Sequence, residues 1–207
     1  GKYYYLNGDF YVGEWKNNQR HGNGSLTYKN GNIYEGEWLN GKRNGEGILK
    51  NIIDGFEYSG NWTDDQRNGK GLYISTFGDQ YDGDFKNGRM EGNGKFLSSV
   101  GDLYEGEWKN DRMNGYGTLT ENDGGKYVGE FKDDSFFGTG SMTYPNGNLY
   151  EGEWKNGKYY GQGILKYYDG SFYRGNWKDG KMSGNGYYSY SNGNRYEGMF
   201  SNNQKNG

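Results

Sequence analysis

A five-residue pattern, Tyr-x-Gly-x-Trp or Tyr-x-Gly-x-Phe, occurs nine times along this chain, every 23 residues apart from one interval of 24. The leading tyrosines are Tyr11, Tyr34, Tyr58, Tyr81, Tyr104, Tyr127, Tyr150, Tyr173 and Tyr196. Eleven residues after each of the first eight comes Gly-x-Gly, as in Gly45-Glu46-Gly47. A period of this length is the signature of an array in which each copy is one supersecondary unit. The fold and the function must therefore be derived from the repeat.

The composition excludes both a thick globular core and a disordered chain. Only 30% of the 207 residues are hydrophobic and 41 are glycine, which is too little apolar mass for a conventional core. Disordered chains are poor in aromatic residues, whereas 19% of this chain is Phe, Trp or Tyr at fixed spacing. We therefore predict a thin, repeating sheet.

Each repeat is predicted to be a β-hairpin. Tyr34, Gly36 and Trp38 occupy alternate positions, which is typical of a strand with one buried face. Asn, Asp and Gly pairs such as Asn40-Gly41 follow and tolerate positive φ, and a second set of such pairs leads into the next repeat. Large rings are expected to lie over glycine backbone at Gly36, Gly45 and Gly47, where a Cβ would collide with them.

These observations predict an all-β, elongated array of antiparallel hairpins that forms a twisted single-layer rod. With about 10 Å for each two-stranded repeat, nine repeats would extend about 85 to 90 Å. The predicted divisions are a partial preceding repeat at 1–10, which supplies a second strand, repeats at 11–33, 34–57, 58–80, 81–103, 104–126, 127–149, 150–172 and 173–195, and an incomplete repeat at 196–207. The extra residue in the second repeat, within 51–55, is expected to lengthen the return turn, and Ile52 and Ile53 offer a small contact patch there.

The pattern of Tyr34, Gly36 and Trp38 followed by Gly41, Gly45 and Gly47 closely resembles the MORN repeat, and the likeness covers the whole chain. This resemblance implies a meandering β-ribbon that serves as a scaffold. The chain contains only repeats and is rich in Asn, Lys and Tyr, and in this respect it is similar to the cytoskeletal MORN arrays of parasitic protists. What that resemblance implies is a homodimeric structural protein that organises cytoskeletal or membrane-proximal assemblies.

The aromatic core is expected to consist of the leading tyrosine and the ring four residues later in every repeat. Its predicted members are Tyr11, Trp15, Tyr34, Trp38, Tyr58, Trp62, Tyr81, Phe85, Tyr104, Trp108, Tyr127, Phe131, Tyr150, Trp154, Tyr173, Trp177, Tyr196 and Phe200.

Charged residues form two rows on the predicted hairpins. Acidic residues flank the tyrosines on the non-aromatic face, at Glu14, Glu35, Glu37, Asp82, Asp84, Glu105, Glu107, Glu130, Glu151, Glu153 and Glu197, and basic residues lie near the turns. One interpretation is that the two rows neutralise each other across neighbouring strands. The alternative is a peripheral membrane module that binds anionic lipids through the basic turn edge, at Lys42, Arg43, Arg89, Arg112 and Lys158. Weak membrane association would follow, although a pI near 5.3 opposes it.

Nine residues after the leading tyrosine, the residue type changes along the chain. The first three repeats have Arg20, Arg43 and Arg67, and the next five have Met90, Met113, Phe136, Tyr159 and Met182. Two interpretations stay open at this point: the side chains fold back over the core, or they form a lateral interface. The second predicts an antiparallel homodimer towards the C-terminal half, with Met113, Phe136, Phe137, Tyr159, Tyr160, Met182, Tyr196 and Phe200 as candidate interface residues.

We expect no enzymatic activity, because the chain offers one histidine, His21, no cysteine, and carboxylates that recur along the array instead of converging on a cleft. His21 is most simply a variant of the Asn that other repeats carry at that position, with a surface metal contact as the alternative. No cofactor, catalytic residue, metal site or nucleic-acid partner is expected. The absence of cysteine and of a long apolar run favours a cytoplasmic, cytoskeleton-associated protein near the cell periphery, with cytoskeletal proteins as its partners.

Overall fold

The computed structural model describes residues 1–206, which form nineteen β-strands and no helix. None of these residues therefore belongs to a helix that could span a membrane. Gly207, the last residue of the ninth predicted repeat, lies outside the described residues. The predicted all-β array of antiparallel hairpins is confirmed.

The strands belong to two compact units. The first unit comprises Gly1–Val100 and Trp108–Asp111, and the second comprises Gly101–Glu107 and the residues from Arg112 onward. The first contains β1 (Lys2–Tyr4), β2 (Phe10–Lys16), β3 (Gln19–Thr27), β4 (Asn32–Leu39), β5 (Lys42–Asn51), β6 (Glu57–Thr63), β7 (Gln66–Ile74), β8 (Gln80–Lys86) and β9 (Arg89–Leu97). The residues of β10 (Leu103–Lys109) are divided between the units. The second contains β11 (Arg112–Thr120), β12 (Lys126–Lys132), β13 (Ser135–Thr143), β14 (Leu149–Lys155), β15 (Lys158–Lys166), β16 (Phe172–Lys178), β17 (Lys181–Ser189), β18 (Arg195–Ser201) and β19 (Gln204–Asn206).

Within each unit, every strand pairs antiparallel with the strands before and after it in sequence. The register places Tyr34 opposite Leu26 on β3 and opposite Leu49 on β5. The glycine of the pentapeptide faces glycine on both sides, since Gly36 lies opposite Gly24 and Gly47. Each unit is thus a single sheet in which equivalent motif positions of neighbouring strands lie side by side.

Two-residue turns close the hairpins, and both central residues have positive φ. Asn40 has φ 51° and Gly41 has φ 82°, while Asp64 and Asp65 have φ 49° and 68°. This geometry belongs to the type I′ turn, whose twist matches that of the paired strands. The Asn, Asp and Gly pairs in the sequence therefore form the hairpin turns, as predicted.

A β-bulge interrupts the hairpin at the Gly-x-Gly motif, which the sequence interpretation did not foresee. Gly36 faces Gly47 but Trp38 faces Arg43, so residues 44–46 lie opposite Glu37 alone. Gly45 has φ +79°, and a Cβ added to it would lie 2.7 Å from the carboxylate carbon of Glu37. The expectation that Gly45 lies beneath a ring is therefore wrong: it forms the bulge, which demands a conformation that glycine adopts readily.

The glycine floor consists instead of the pentapeptide glycine and the second glycine of Gly-x-Gly. A Cβ on Gly47 would lie 2.5 Å from Cζ of Tyr34, and one on Gly36 would lie 2.5 Å from the carbonyl oxygen of Glu46. The tyrosine ring consequently rests directly on backbone. This close approach lets a single-layer sheet bury large side chains on one face.

The return turns are linked to one another by side chains. Oδ1 of Asp79 accepts a hydrogen bond of 2.8 Å from the backbone N–H of Ser99 in the following return turn, and this bond lowers the pKa of the Asp79 carboxyl. The return turn at 51–55 is longer by one residue, as predicted: the N–H of Asn51 donates to the carbonyl of Phe56, where the N–H of Tyr28 donates to Asn32. Ile52 and Ile53 are exposed there.

Candidate functional site

The aromatic face of each unit is a ladder of perpendicular rings. Tyr34 contacts Trp38 of its own repeat and Trp62 of the next, with centroid separations of 5.0 and 5.5 Å and interplanar angles of 86° and 87°. Tyr127 contacts Phe131 and Trp154 in the same way in the second unit. Edge-to-face contacts of this kind place the positive ring edge against the negative ring face. Adjacent repeats are therefore joined by interlocked side chains as well as by backbone hydrogen bonds.

The polar ends of these rings are bonded to backbone. The Tyr34 hydroxyl donates to the carbonyl of Glu37 at 3.0 Å, and the Trp38 indole N–H donates to the carbonyl of Gly24 in the preceding repeat at 3.1 Å. Burial raises the pKa of the eight leading tyrosines from Tyr11 to Tyr173, and for Tyr58, where nearby Arg67 opposes the increase, the pKa rises to about 12. The hydrogen bonds fix these rings in one orientation.

The structure buries the predicted core residues with two exceptions. Trp15 is 36% exposed, and on its outer side lies the short strand β1, where the ring of Tyr3 is 5.6 Å away. Tyr196 is half-buried, although Phe200 beside it is 4% exposed. The remaining sixteen predicted core rings are all buried.

The residues nine positions after each leading tyrosine cover the aromatic ladder, and we call them the lid column. The guanidinium carbon of Arg20 lies 4.1 Å from the centroid of Trp38, and that of Arg43 lies 4.2 Å from the centroid of Trp62. In the second unit Tyr159 takes the same place, 4.9 Å from Trp177, and stacks on Tyr150 at 3.7 Å. The sequence left open whether this column folds back or forms an interface, and at these positions the side chains fold back.

Other members of the lid column behave alike. Phe136 stacks on Tyr127 at 3.8 Å and contacts Trp154, while Met113 and Met182 are half-buried. The hydroxyls of Tyr144 and Tyr159 hydrogen-bond to each other above the core. Lys205 extends the column into the ninth repeat, where its ammonium lies 5.0 Å from the centroid of Tyr196.

The two aromatic doublets divide between the faces of the sheet. Phe136 and Tyr159 belong to the core, whereas Phe137 lies opposite Glu130, and Tyr160 opposite Glu153, on the other face. The ammonium groups of Lys132 and Lys155 lie 5.1 and 4.9 Å from the centroids of Phe137 and Tyr160. Successive side chains on a strand point to opposite faces, so only the second ring of each doublet is available on the outer surface.

Phe137 and Tyr160 belong to a larger row on the outer face of the second unit, which we call the outer aromatic row. Tyr116 lies opposite Glu130 on one side, as Phe137 does on the other, and Met199 lies on the same face of β18. Tyr116 is 58% exposed, Met199 48% and Tyr160 39%. A row of large, exposed side chains on the outer face is a candidate contact surface.

The acidic row has a structural role at the bulges. Glu37 accepts the backbone N–H of Glu46 at 2.9 Å, and Glu107, Glu130 and Glu153 accept the corresponding N–H groups of their own repeats at 2.8 to 2.9 Å. Glu14 and Asp84 do the same at 2.8 and 3.1 Å. The sequence could have indicated this, because these carboxylates recur eight residues before the first glycine of Gly-x-Gly.

The predicted basic turn edge is partly neutralised by neighbouring turns. Lys42 pairs with Asp64 at 3.1 Å and Arg43 with Asp65 at 3.1 Å, while Arg89 donates to the side-chain oxygen of Asn110 at 3.3 Å. Arg112 and Lys158 are exposed. Cross-strand neutralisation of the acidic row also occurs, but strand lysines provide it, as in the Lys166–Glu151 and Lys50–Glu35 pairs of 2.8 and 3.7 Å.

His21 is half-buried, and its Nδ1 atom is enclosed without a hydrogen-bond partner. In the part of the chain that the structure describes, no three His, Asp or Glu side chains converge in a way that could hold a metal ion.

Comparisons with solved structures find domains of low similarity to this chain. The SAS-4 (dCPAP) TCP domain of Drosophila melanogaster, solved in complex with a proline-rich motif of Ana2 (dSTIL), is 12% identical, with a TM-score of 0.43 over 86% of this chain and 90% of that one. The TCP10 domain of Danio rerio CPAP is 11% identical, with a TM-score of 0.32 over 85% and 94%. These values bear on neither the partners nor the activity of this chain. No curated protein sequence matches it significantly.

A known repeat family matches most of the chain. The sequence model of the MORN repeat matches nine segments, which are 11–33, 34–50, 58–79, 81–103, 104–126, 127–149, 150–172, 173–195 and 196–207. Together they cover most of the 207 residues. The motif residues in these segments are those that build the hairpin, the bulge and the glycine floor. The chain therefore belongs to the MORN-repeat family.

Proposed function

We propose that this protein is a non-catalytic scaffold that homodimerises and organises cytoskeletal or membrane-proximal protein assemblies. Its membership in the MORN-repeat family supports this role. The analogy with cytoskeletal family members that contain only repeats supports it as well. The distribution of carboxylates also supports it, because bulge residues such as Glu37 and Glu153 are occupied by backbone N–H groups of their own repeats. A cytoskeletal location near the cell periphery belongs to the same proposal.

The observation that carries the dimer proposal is the outer aromatic row of the second unit. Phe136, Tyr159 and Phe200 are held in the aromatic face of the chain, so they offer little surface to a partner. Tyr116, Phe137, Tyr160 and Met199 provide large side chains on the opposite face. Aromatic and methionine side chains are enriched at interface centres, and a row of this kind suits an antiparallel two-fold contact with its own copy.

The lipid-binding alternative has less support. Lys42 and Arg43, two of its five cations, are engaged by Asp64 and Asp65. An acidic protein whose basic edge is partly neutralised would be attracted only weakly to anionic headgroups. We therefore retain the scaffold as the proposed function.

The experiment that tests the dimer is a mass measurement by light scattering during size-exclusion chromatography. We expect the unaltered chain to have twice the 23.6 kDa of one chain, and the double variant Phe137→Ser/Tyr160→Ser to have 23.6 kDa. Leu72→Ser removes an exposed apolar side chain from β7 of the first unit and should leave the mass doubled. A double variant that keeps the doubled mass, or an unaltered chain of 23.6 kDa, would contradict the proposal.

A further inference from the structure

A cavity of about 550 Å³ opens on the aromatic face of the first unit, and its volume is within the range of ligand-binding pockets. Rings of Phe56, Tyr58, Trp62 and Tyr73 form much of its wall, and Arg43 and Arg67 of the lid column border it. Phe56, Tyr73 and both arginines are half-buried. The cavity therefore combines an apolar wall with two guanidinium groups.

The cavity lies beside the lengthened return turn, in a repeat that differs from others two residues before its leading tyrosine. Two residues before the leading tyrosine, the first and fourth repeats have Asp9 and Asp79, whose carboxylates accept the N–H groups of Lys29 and Ser99 at 2.9 and 2.8 Å. The third repeat has Phe56 at this position, directly after the lengthened turn at 51–55. A side chain that links turns elsewhere is thus replaced by a ring that lines the cavity.

The two arginines differ in how their charge is balanced. Nε of Arg43 pairs with the carboxylate of Asp65 at 3.1 Å, and its Nη2 donates to the carbonyl of the same residue. Nη2 of Arg67 donates to the carbonyl of Gly88 at 2.7 Å, and Arg67 has no carboxylate partner among residues 1–206. The cause is the turn sequence, since Asp64-Asp65 follows Arg43 where Asn87-Gly88 follows Arg67.

The guanidinium of Arg67 also lies among rings, with its central carbon 5.6 Å from the centroid of Tyr58, 5.2 Å from Tyr73 and 5.1 Å from Phe85. Stacking on rings compensates part of the lost hydration of a half-buried cation. A carboxylate from outside the chain would compensate the rest of the lost hydration, because guanidinium binds carboxylate through two parallel hydrogen bonds.

We infer that this cavity binds an acidic side chain of an extended partner segment, with apolar neighbours of that side chain packing on Phe56 and Tyr73. A single carboxylate suits the site better than a multiply charged group, because of the cavity's two guanidinium groups only that of Arg67 is without a carboxylate partner, and Asp65 also borders the cavity. The inference rests on the proposed scaffold function, since it names the chemistry of a segment that the scaffold would recognise.

The test is an NMR titration of the full chain labelled with ¹⁵N. The indole N–H of Trp62, which donates to the carbonyl of Gly47, reports on the cavity wall, and that of Trp177 in the second unit serves as the remote reference. The probes are two blocked peptides, Ser-Phe-Glu-Phe-Ser and its twin with Gln in place of Glu. We expect saturable shifts of the Trp62 signal with the Glu peptide and an affinity about tenfold lower for the Gln peptide.

Three variants test which residues produce the preference for the Glu peptide. Arg67→Met introduces the residue that the lid column has at Met90, and it should reduce the affinity for the Glu peptide to that for the Gln peptide. Arg20→Met is the control, because Arg20 also stacks on a ring and donates to a turn carbonyl, yet it lies outside the cavity. Asp65→Asn removes the competing carboxylate and should raise the affinity for the Glu peptide severalfold.

Equal affinities for the two peptides would overturn the inference, because ring packing alone would then account for binding. Absence of a Trp62 shift with both peptides, or an Arg67→Met variant that still prefers the Glu peptide, would overturn it as well. The mass of Arg67→Met in solution separates this inference from the dimer proposal. We expect that mass to equal the mass of the unaltered chain, whatever the outcome of the peptide titration.

Discussion

The ring of Tyr34 and the Cα of Gly47 are in such close contact that residue 47 has no room for a side chain. A Cβ there would lie 2.5 Å from Cζ of the ring, and real Cβ atoms essentially never approach other heavy atoms within 3.0 Å. The relationship recurs in other repeats, for example between Tyr58 and Gly71. The stability of the array therefore depends on the absence of atoms at these positions as much as on the rings themselves.

We expect Gly47→Ala to destabilise the protein by about 2 to 3 kcal/mol, because the added methyl group would displace the Tyr34 ring from its backbone floor. Gly41→Ala is the control in the same hairpin: it has positive φ, but nothing lies within 4 Å of the added Cβ, so its cost of about 1 kcal/mol comes from conformation alone. Urea unfolding would measure both. Equal losses would show that the close contact does not limit stability.

The carboxylate of Glu37 is expected to stabilise the bulge. Glu37→Ala leaves the N–H of Glu46 without its acceptor and should reduce the free energy of unfolding by about 1 kcal/mol. Glu35→Ala, two residues earlier on β4, removes only an exposed pair with Lys50 and should cost less than about 0.5 kcal/mol. If denaturant midpoints show the two variants to be alike, the bulge carboxylates are ordinary surface charges.

The indole N–H of Trp38 and the ring of Trp38 should make separate contributions to the free energy of unfolding. Trp38→Phe keeps an aromatic ring, as Phe85 and Phe131 do naturally, but loses the bond to the carbonyl of Gly24, at a cost of about 1 kcal/mol. Trp38→Ala removes the contacts with Tyr11 and Tyr34 and should cost about 3 to 5 kcal/mol. Thermal unfolding of both variants checks that Trp38→Ala is less stable than Trp38→Phe. A Phe variant as unstable as the Ala variant would contradict the prediction.

The buried tyrosines predict a loss of stability in alkaline solution. Burial raises the pKa of Tyr58 from 10.0 to about 12, so the folded state retains its proton where the unfolded state begins to release it. This contribution is complete below pH 10 and is lost as the pH rises from 10 to about 12, at up to about 1.4 kcal/mol per pH unit for each such group. Tyr34, Tyr81 and Tyr104 shift in the same direction.

Denaturant unfolding across this pH range, with phenolate absorbance as a second signal, would measure the effect. Tyr58→Phe removes one titrating group and should make the decline of stability with pH less steep. A chain whose stability between pH 10 and 12 is independent of pH would contradict the prediction.

Much of the fold could be predicted from the sequence because its signals are local. The alternation of Tyr34, Gly36 and Trp38 and the residue types of turns such as Asn40-Gly41 depend on strand periodicity and on φ alone. The bulge could not be read in the same way, since the residues between Arg43 and Gly47 shift the pairing register by two and leave both residues on the aromatic face, so the alternation of the second strand does not reveal it. The length of the whole array stays a prediction.

The surfaces were harder to predict, because they depend on which face a side chain takes and on what lies in the next repeat. Phe136 and Phe137 are adjacent in sequence and occupy opposite faces, so a doublet does not make one patch. Arg43 and Arg67 occupy the same column, and the second residue of the following turn decides whether each has a carboxylate partner. Such differences appear only when one repeat is compared with its neighbour in space.

The lid column has a consequence for how such chains diversify. A guanidinium at Arg20, a thioether at Met90 and a phenol at Tyr159 all occupy one place without altering the hairpin beneath. Chemical character can therefore drift from one repeat to its neighbour while the spacing of the backbone is preserved. An array built in this way can acquire distinct recognition properties at successive repeats while its backbone structure stays the same.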